Sequence, residues 1–246
     1  MPLKEELERQ GNWLFKRRSE LPLLVLALML VELWLRPPAR LGGPAETLWA
    51  VLCLGLAFAG EGVRAAAVGR VPGGTSARQT REPGGGALNT SGWYSVVRHP
   101  LYLGNFLIWI GLALWLRSWE FAAVVALVFW VYYERVMYAE EAYLRGRFGD
   151  AYVDWASRTP AFLPRLGGWR PADLPFSWRV VIRREHSSAF AIVATFAAMV
   201  YGRDLATTGA VQLHPPVATI FVAALIAFLA AVFLTRRTRV LDVEGR

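Results

Sequence analysis

The chain has 246 residues, 55% of them hydrophobic, with eleven tryptophans and a formal net charge of +8. Long apolar blocks at this composition exclude a soluble polar domain and mark an integral membrane protein, and because the basic residues gather between the blocks as membrane flanks do, nucleic acid is excluded as a partner. Cys53 is the only cysteine and the three histidines, His99, His186 and His214, are far apart, which excludes an intrachain disulfide and leaves a metal centre without ligands.

The predicted elements begin with a basic amphipathic segment, residues 1–20, carrying Lys4, Arg9, Lys16, Arg17 and Arg18. It is too long and too charged for a cleavable signal and reads as an interfacial helix. A first span runs from Leu21 to Leu35 and stops at Arg36, Pro37 and Pro38, whose prolines lack the donors a helix needs. A second covers Glu46 to Val68, with Glu61 and Arg64 spaced as an intrahelical pair at membrane depth, where ionisable groups point to a cavity. The stretch Val71 to Gly86, rich in glycine and proline, reads as a flexible loop. The third and fourth spans, Pro100 to Leu116 and Phe121 to Tyr138, form a tight helical hairpin turning at Arg117 and Ser118. A polar segment, Glu140 to His186, precedes a fifth span at Ala189 to Tyr201 and a sixth at Val217 to Leu234. Within that polar segment, Arg179 to His186 reads as a basic interfacial run anchored by Trp169 and Trp178 and able to cap the acceptor tunnel; the alternative is that the two spans after it only pack against the core or mediate self-association. The expected fold is all-α, a polytopic membrane bundle of about six transmembrane helices.

All but four of the 27 Lys and Arg residues fall on one side of this arrangement; Arg36, Arg40, Arg117 and Arg203 fall on the other. Cytoplasmic loops carry the basic excess, so both termini are expected in the cytoplasm. The same sorting puts Arg98-His99, which precede the third span, and Glu140-Glu141, which follow the fourth, on one face.

Pro100 suits the first position of a helix, and the free N–H groups there attract an anion, an attraction that Arg98 and His99 strengthen. Two adjacent carboxylates near a helix C-terminus ask for a cation, which Arg135, Arg145 or Arg147 on the same helix would also supply. A basic and an acidic group at one membrane level suit a zwitterionic ligand. Taken alone, Arg98 and His99 also fit surface anchoring.

Leu88, Thr90, Gly92, Tyr94, Val97, Arg98, His99, Pro100, Tyr102 and Gly104, followed by Glu140, Glu141, Leu144, Phe148, Gly149, Tyr152, Arg158, Pro160 and Pro164, resemble the isoprenylcysteine carboxyl methyltransferase and phospholipid methyltransferase superfamily. The resemblance covers Gly60 to Pro164, within a core of residues 21–164, and leaves residues 165–246 as an extension. It implies methyl transfer from S-adenosylmethionine, held in a pocket reached from the cytoplasm. It implies cofactor binding by Arg98, His99, Pro100, Tyr102, Gly104, Glu140 and Glu141, and it puts Arg158 near the acceptor. An ionised carboxylate or phosphate acceptor needs only positioning by a cation such as Arg158; an amine acceptor must lose a proton, which makes Glu141 or Tyr94 the candidate base. Lateral openings between membrane helices favour a lipid or prenyl-type acceptor, and the Ala, Arg and Gly bias points to a bacterial inner membrane. A sterol-type reductase using NADPH and a non-catalytic scaffold are the other classes, separated from the first by which nucleotide stabilises the protein.

Overall fold

The computed structural model describes residues 2–18, 20–72 and 88–246, and of Leu21 the backbone alone. The glycine-rich segment expected as a flexible loop therefore lies, from Gly73 to Gly86, outside the described residues. Eight α-helices follow in order: α1 (Leu3–Lys16), α2 (Leu21–Leu35), α3 (Gly43–Val68), α4 (Pro100–Trp115), α5 (Trp119–Phe148), α6 (Asp150–Arg158), α7 (Trp178–Thr208) and α8 (Pro215–Arg237). Among the described residues there is no β-strand beyond a single bridge between Gly92 and Arg170.

Local chemistry sets the helix starts. Prolines open α2, α3, α4 and α8 in the first turn, where a missing N–H leaves no bond unmade. Ser118 and Ser177 cap α5 and α7, each hydroxyl accepting from a backbone N–H three residues on. The α4–α5 hairpin turns where the Arg-Ser pair predicts, with Arg117 at φ 58°.

Four helices, α3, α5, α7 and α8, are long and apolar enough to cross a membrane. The other two expected spans are shorter: α2 and α4 have 15 and 16 residues, roughly 23 Å at 1.5 Å per residue against a hydrocarbon core of about 30 Å. In contrast, α5 has 30 residues and α7 has 31, so each outruns the bilayer core. Two expectations change as a result. Glu140 and Glu141 do not follow the fourth span but sit inside α5, and Arg179 to His186 is no separate interfacial run but the opening turns of α7. The structure thus joins to α7 a segment whose polarity read as a boundary.

Helix α3 lies against α4 along a seam of small residues. A Cβ added at Gly60 would collide with the Gly104 carbonyl and the Ile108 N–H, and one at Gly111 would come within 2.7 Å of the Cys53 carbonyl. Without water to drive association in lipid, such close backbone approach is what packs membrane helices. On the far side α1 rests on α5, Gly11 facing the Arg135 carbonyl and the Tyr132 hydroxyl donating to Leu14 O at 2.8 Å. Helix α8 packs on α7 and is otherwise largely exposed, as suits a lipid-facing helix.

At one end of the bundle, three of the four basic residues sorted to the minority face converge. Glu46 at the start of α3 takes Arg117 at 2.7 Å and also Arg203; Asp204, fully buried, takes Arg40 at 2.7 Å and His214 at 2.6 Å. These ion pairs tie the α2–α3 and α4–α5 connections to the end of α7. We predict that Gly60→Leu, which wedges the α3–α4 seam, lowers stability by about 1–3 kcal/mol, and that Glu46→Ala, which strands the buried Arg203, costs about 3–5 kcal/mol; thermal denaturation in detergent measures both.

Candidate functional site

The loop before α4 reaches its place through main-chain bonds. Arg98 N–H donates to Pro160 O at 2.8 Å, His99 N–H to Ala161 O at 3.2 Å, and Arg165 N–H to Val96 O at 3.0 Å. The segment after α6 is thus a backbone cradle for the Arg98-His99 pair. Gly149, at φ 54°, makes the sharp corner between α5 and α6 that brings this cradle back under α4. Trp155 fixes the other edge, its indole N–H donating to Tyr94 O at 3.0 Å.

Two cations and two carboxylates then meet. His99 Nε2 is 2.9 Å from Glu141 Oε1 and its Nδ1 is 3.5 Å from Glu140 Oε2. Arg98 Nε lies 3.1 Å from the same Glu141 oxygen. The Tyr102 hydroxyl donates to Glu140 Oε2 at 2.9 Å, and its ring stacks on the His99 imidazole with centroids 5.4 Å apart. Pairing of the two glutamates with Arg135, Arg145 or Arg147 along their own helix is not what forms; Arg135 turns to Gln10 and Arg147 to Tyr143.

Burial alone would push the His99 imidazole toward neutrality. The Glu140 and Glu141 carboxylates outweigh it and hold the ring's pKa above its ordinary value of 6.5. Burial, followed by the Glu140 charge, pushes the Tyr94 phenol upward. The Tyr152 phenol is raised in the same way by burial and by Glu141, and its buried hydroxyl lacks a well-formed hydrogen bond.

This cluster forms the polar end of a cavity of about 600 Å³. Tyr94, Arg98, His99, Pro100, Tyr102 and Glu140 line it; Met29, Ile108, Trp109 and Leu112 carry it upward as an apolar shaft between α2 and α4. Glu141 stands behind the lining, holding His99 and Arg98. Two expected site residues lie elsewhere. Gly104 faces Gly60 and the Arg64 side chain, so its small size serves helix packing. Arg158 is exposed, with Nε on Asp154 O and its own carbonyl accepting from Arg165, and it does not reach the cavity.

Other lining groups escaped the sequence reading. Arg64 donates to Asn105 Oδ1 and, through Nε and Nη2, to Glu185 Oε2 at 2.9 and 2.6 Å; Asn105 in turn donates to the Tyr133 hydroxyl at 2.9 Å. Glu61 is 3.6 Å from Arg64, so the intrahelical pair exists, but a partner 121 residues away takes most of the guanidinium. The available signal was Glu185 itself, a lone acid inside the basic run Arg183-Arg184-Glu185-His186.

The phospholipid methyltransferase family matches residues 47–151. Over this stretch, which takes in both the Arg98-His99-Pro100 and the Glu140-Glu141 elements, the chain is similar to that family. It is also similar to protein-S-isoprenylcysteine O-methyltransferase of Schizosaccharomyces pombe, 34% identical over 79 residues covering 32% of this chain and 34% of that one. Its similarity to protein-S-isoprenylcysteine O-methyltransferase B of Arabidopsis thaliana is 43% over 79 residues, 31% and 39% of the two chains. The cobalt-zinc-cadmium resistance protein CzcN of Cupriavidus metallidurans is 43% identical over 83 residues, covering 34% of this chain and 38% of CzcN. The chain thus matches little more than a third of the length of these relatives. No solved structure matches it. Family and apolar helices together make the chain an integral membrane protein.

Because the raised His99 pKa reflects a proton bound more tightly in the folded state, the stability it contributes is full below the unfolded pKa of about 6.5 and is lost as pH rises through the folded value. We predict that thermal stability declines as pH is raised above neutrality and that His99→Gln removes this part of the slope, read from melting curves across pH.

Proposed function

We propose that the protein transfers a methyl group from S-adenosylmethionine to a lipid-borne acceptor at the cytoplasmic membrane face. The observation that carries the reading is the His99–Glu140–Glu141 cluster with Arg98, set at the polar end of a cavity whose other end is apolar. The residues present fit the cofactor. Its amino-acid end bears a carboxylate and an ammonium, and the cavity floor offers Arg98 and His99 to the first and Glu140 to the second. The buried Tyr152 hydroxyl, without a well-formed bond of its own, is a further donor at this end. When bound, the cofactor would supply an electrophilic methyl group on a cationic sulfur.

The chain's part is to bind, align and exclude water. Methyl transfer is an in-line displacement in which positive charge is lost, so a dry, shaped cavity that holds donor and acceptor in line supplies much of the acceleration. The apolar shaft between α2 and α4 suits an acyl or prenyl chain, with the acceptor headgroup held at the level of Tyr94 and Asn105. Basic residues sorted to the His99 face would draw anionic lipid headgroups by about 1 kcal/mol per well-placed cation. By the same sorting, both termini are assigned to the cytoplasm of a bacterial inner membrane.

We expect S-adenosylmethionine and its demethylated product to raise the melting temperature of the purified protein. His99→Ala and Glu140→Gln should each weaken binding tenfold or more, about 1.4 kcal/mol, in isothermal titration. Arg158→Ala should leave that affinity unchanged. Stabilisation by NADPH in place of S-adenosylmethionine would overturn the reading.

A further inference from the structure

The wall of the cavity opposite His99 is built by α7, outside the stretch matched to the family. Here two carboxylates share one guanidinium. Arg64 commits Nε and Nη2 to Glu185 and stands 3.6 Å from Glu61. Glu61 is 7% exposed, takes the Ser188 hydroxyl on Oε2 at 2.7 Å, and has no partner at all on Oε1. Ser188 itself lines the cavity, with Arg184, Glu185 and Thr195 on the same helix. A buried carboxylate with an empty oxygen carries a desolvation cost that only a proton or a donor relieves.

The other carboxylates on this cavity hold their protein partners on one oxygen each. Glu140 accepts from Tyr102 and faces His99, and Glu185 is held by two nitrogens of Arg64. What sets Glu61 apart is an oxygen that is buried without any hydrogen-bond partner, one hydrogen bond behind the cavity surface through Ser188. From α4 and α5 the polar groups nearest this set are Asn105 and Tyr133, both engaged through Arg64.

We propose that Ser188 and Glu61 form a proton-accepting relay, and that the acceptor is accordingly an amine or hydroxyl rather than an already ionised carboxylate or phosphate. The proposal rests on the methyl-transfer reading and gives its substrate a chemical class. In the step, the acceptor nitrogen or oxygen bonds the methyl carbon of the sulfonium donor as the carbon–sulfur electron pair returns to sulfur. The acceptor's proton passes to Ser188 Oγ while the Ser188 proton moves to Glu61 Oε2. The carboxylate ends neutral, and the relay resets by releasing that proton.

Two measurements test this on the full-length protein in detergent or vesicles. In the first, methyl-labelled S-adenosylmethionine is supplied with phosphatidylethanolamine vesicles and, separately, with the ionised carboxylate N-acetyl-S-farnesylcysteine. Alkali-stable label on the amine lipid, reduced about a hundredfold by Glu61→Gln at neutral pH, recovered as pH rises and partly restored by Glu61→Asp, is expected. Alkali-labile ester label on the farnesylcysteine, or transfer indifferent to Glu61→Gln, overturns the relay. In the second, infrared difference spectra across pH should reveal a protonated-carboxyl band that Glu61→Gln removes and Ser188→Ala shifts; a wild-type protein without that band overturns the proposal whether or not any lipid is labelled. Calorimetric binding of S-adenosylmethionine, expected to be unchanged in Glu61→Gln, separates the two levels: its absence in wild type sinks the methyltransferase reading, whereas intact binding with either negative result above sinks only the relay.

Discussion

Everything in this molecule turns on the pairing of His99 with the two adjacent carboxylates of α5. Charges near a bilayer are costly unless matched, and Arg98, His99, Glu140 and Glu141 match one another two for two. To bring them together the chain must end α5 beyond the hydrocarbon, turn at Gly149, fold α6 back and use the Pro160 and Ala161 carbonyls to seat the α4 start. The small-residue seam between α3 and α4 and the ion pairs at the opposite end of the bundle hold the frame in which that pairing can persist.

The polar interior forms two linked layers. One holds the His99 cluster; the other runs from Glu185 and Glu61 through Arg64 and Asn105 to Tyr133, whose ring lies 4.7 Å from that of Tyr102. Networks of this kind are stable only when nearly every member is satisfied. The second layer draws α7 into the cavity wall, so a helix that composition alone treated as an addition to the core contributes to the surface a ligand would meet.

Much of this was legible in the sequence because it depends on local rules. Apolar blocks and prolines locate the helix starts, Arg117-Ser118 locates a turn, and the Arg-His-Pro and Glu-Glu elements carry the family likeness. Polarity does not mark a boundary where a helix runs past the bilayer. Glu140 and Glu141 continue α5, and Arg179 to His186 begins α7, because the helices outrun the bilayer and polar residues there remain helical. Arg158 sits exposed on the last turn of α6, its Nε donating to Asp154 O, outside the cavity that Arg98 and His99 line.

By itself, then, the sequence determined the helical membrane class, the segments rich in chemistry and the sorting of charge between two faces, since each follows from hydropathy, proline and charge counted along the chain. Only the tertiary structure decided which charges share partners. Glu185 with Arg64, Ser188 with Glu61 and Glu46 with Arg203 span 121, 127 and 157 residues. All three join α3 to α7, and side-chain pairing across such distances is set by how those two helices are rotated against one another, which no periodicity in the sequence specifies.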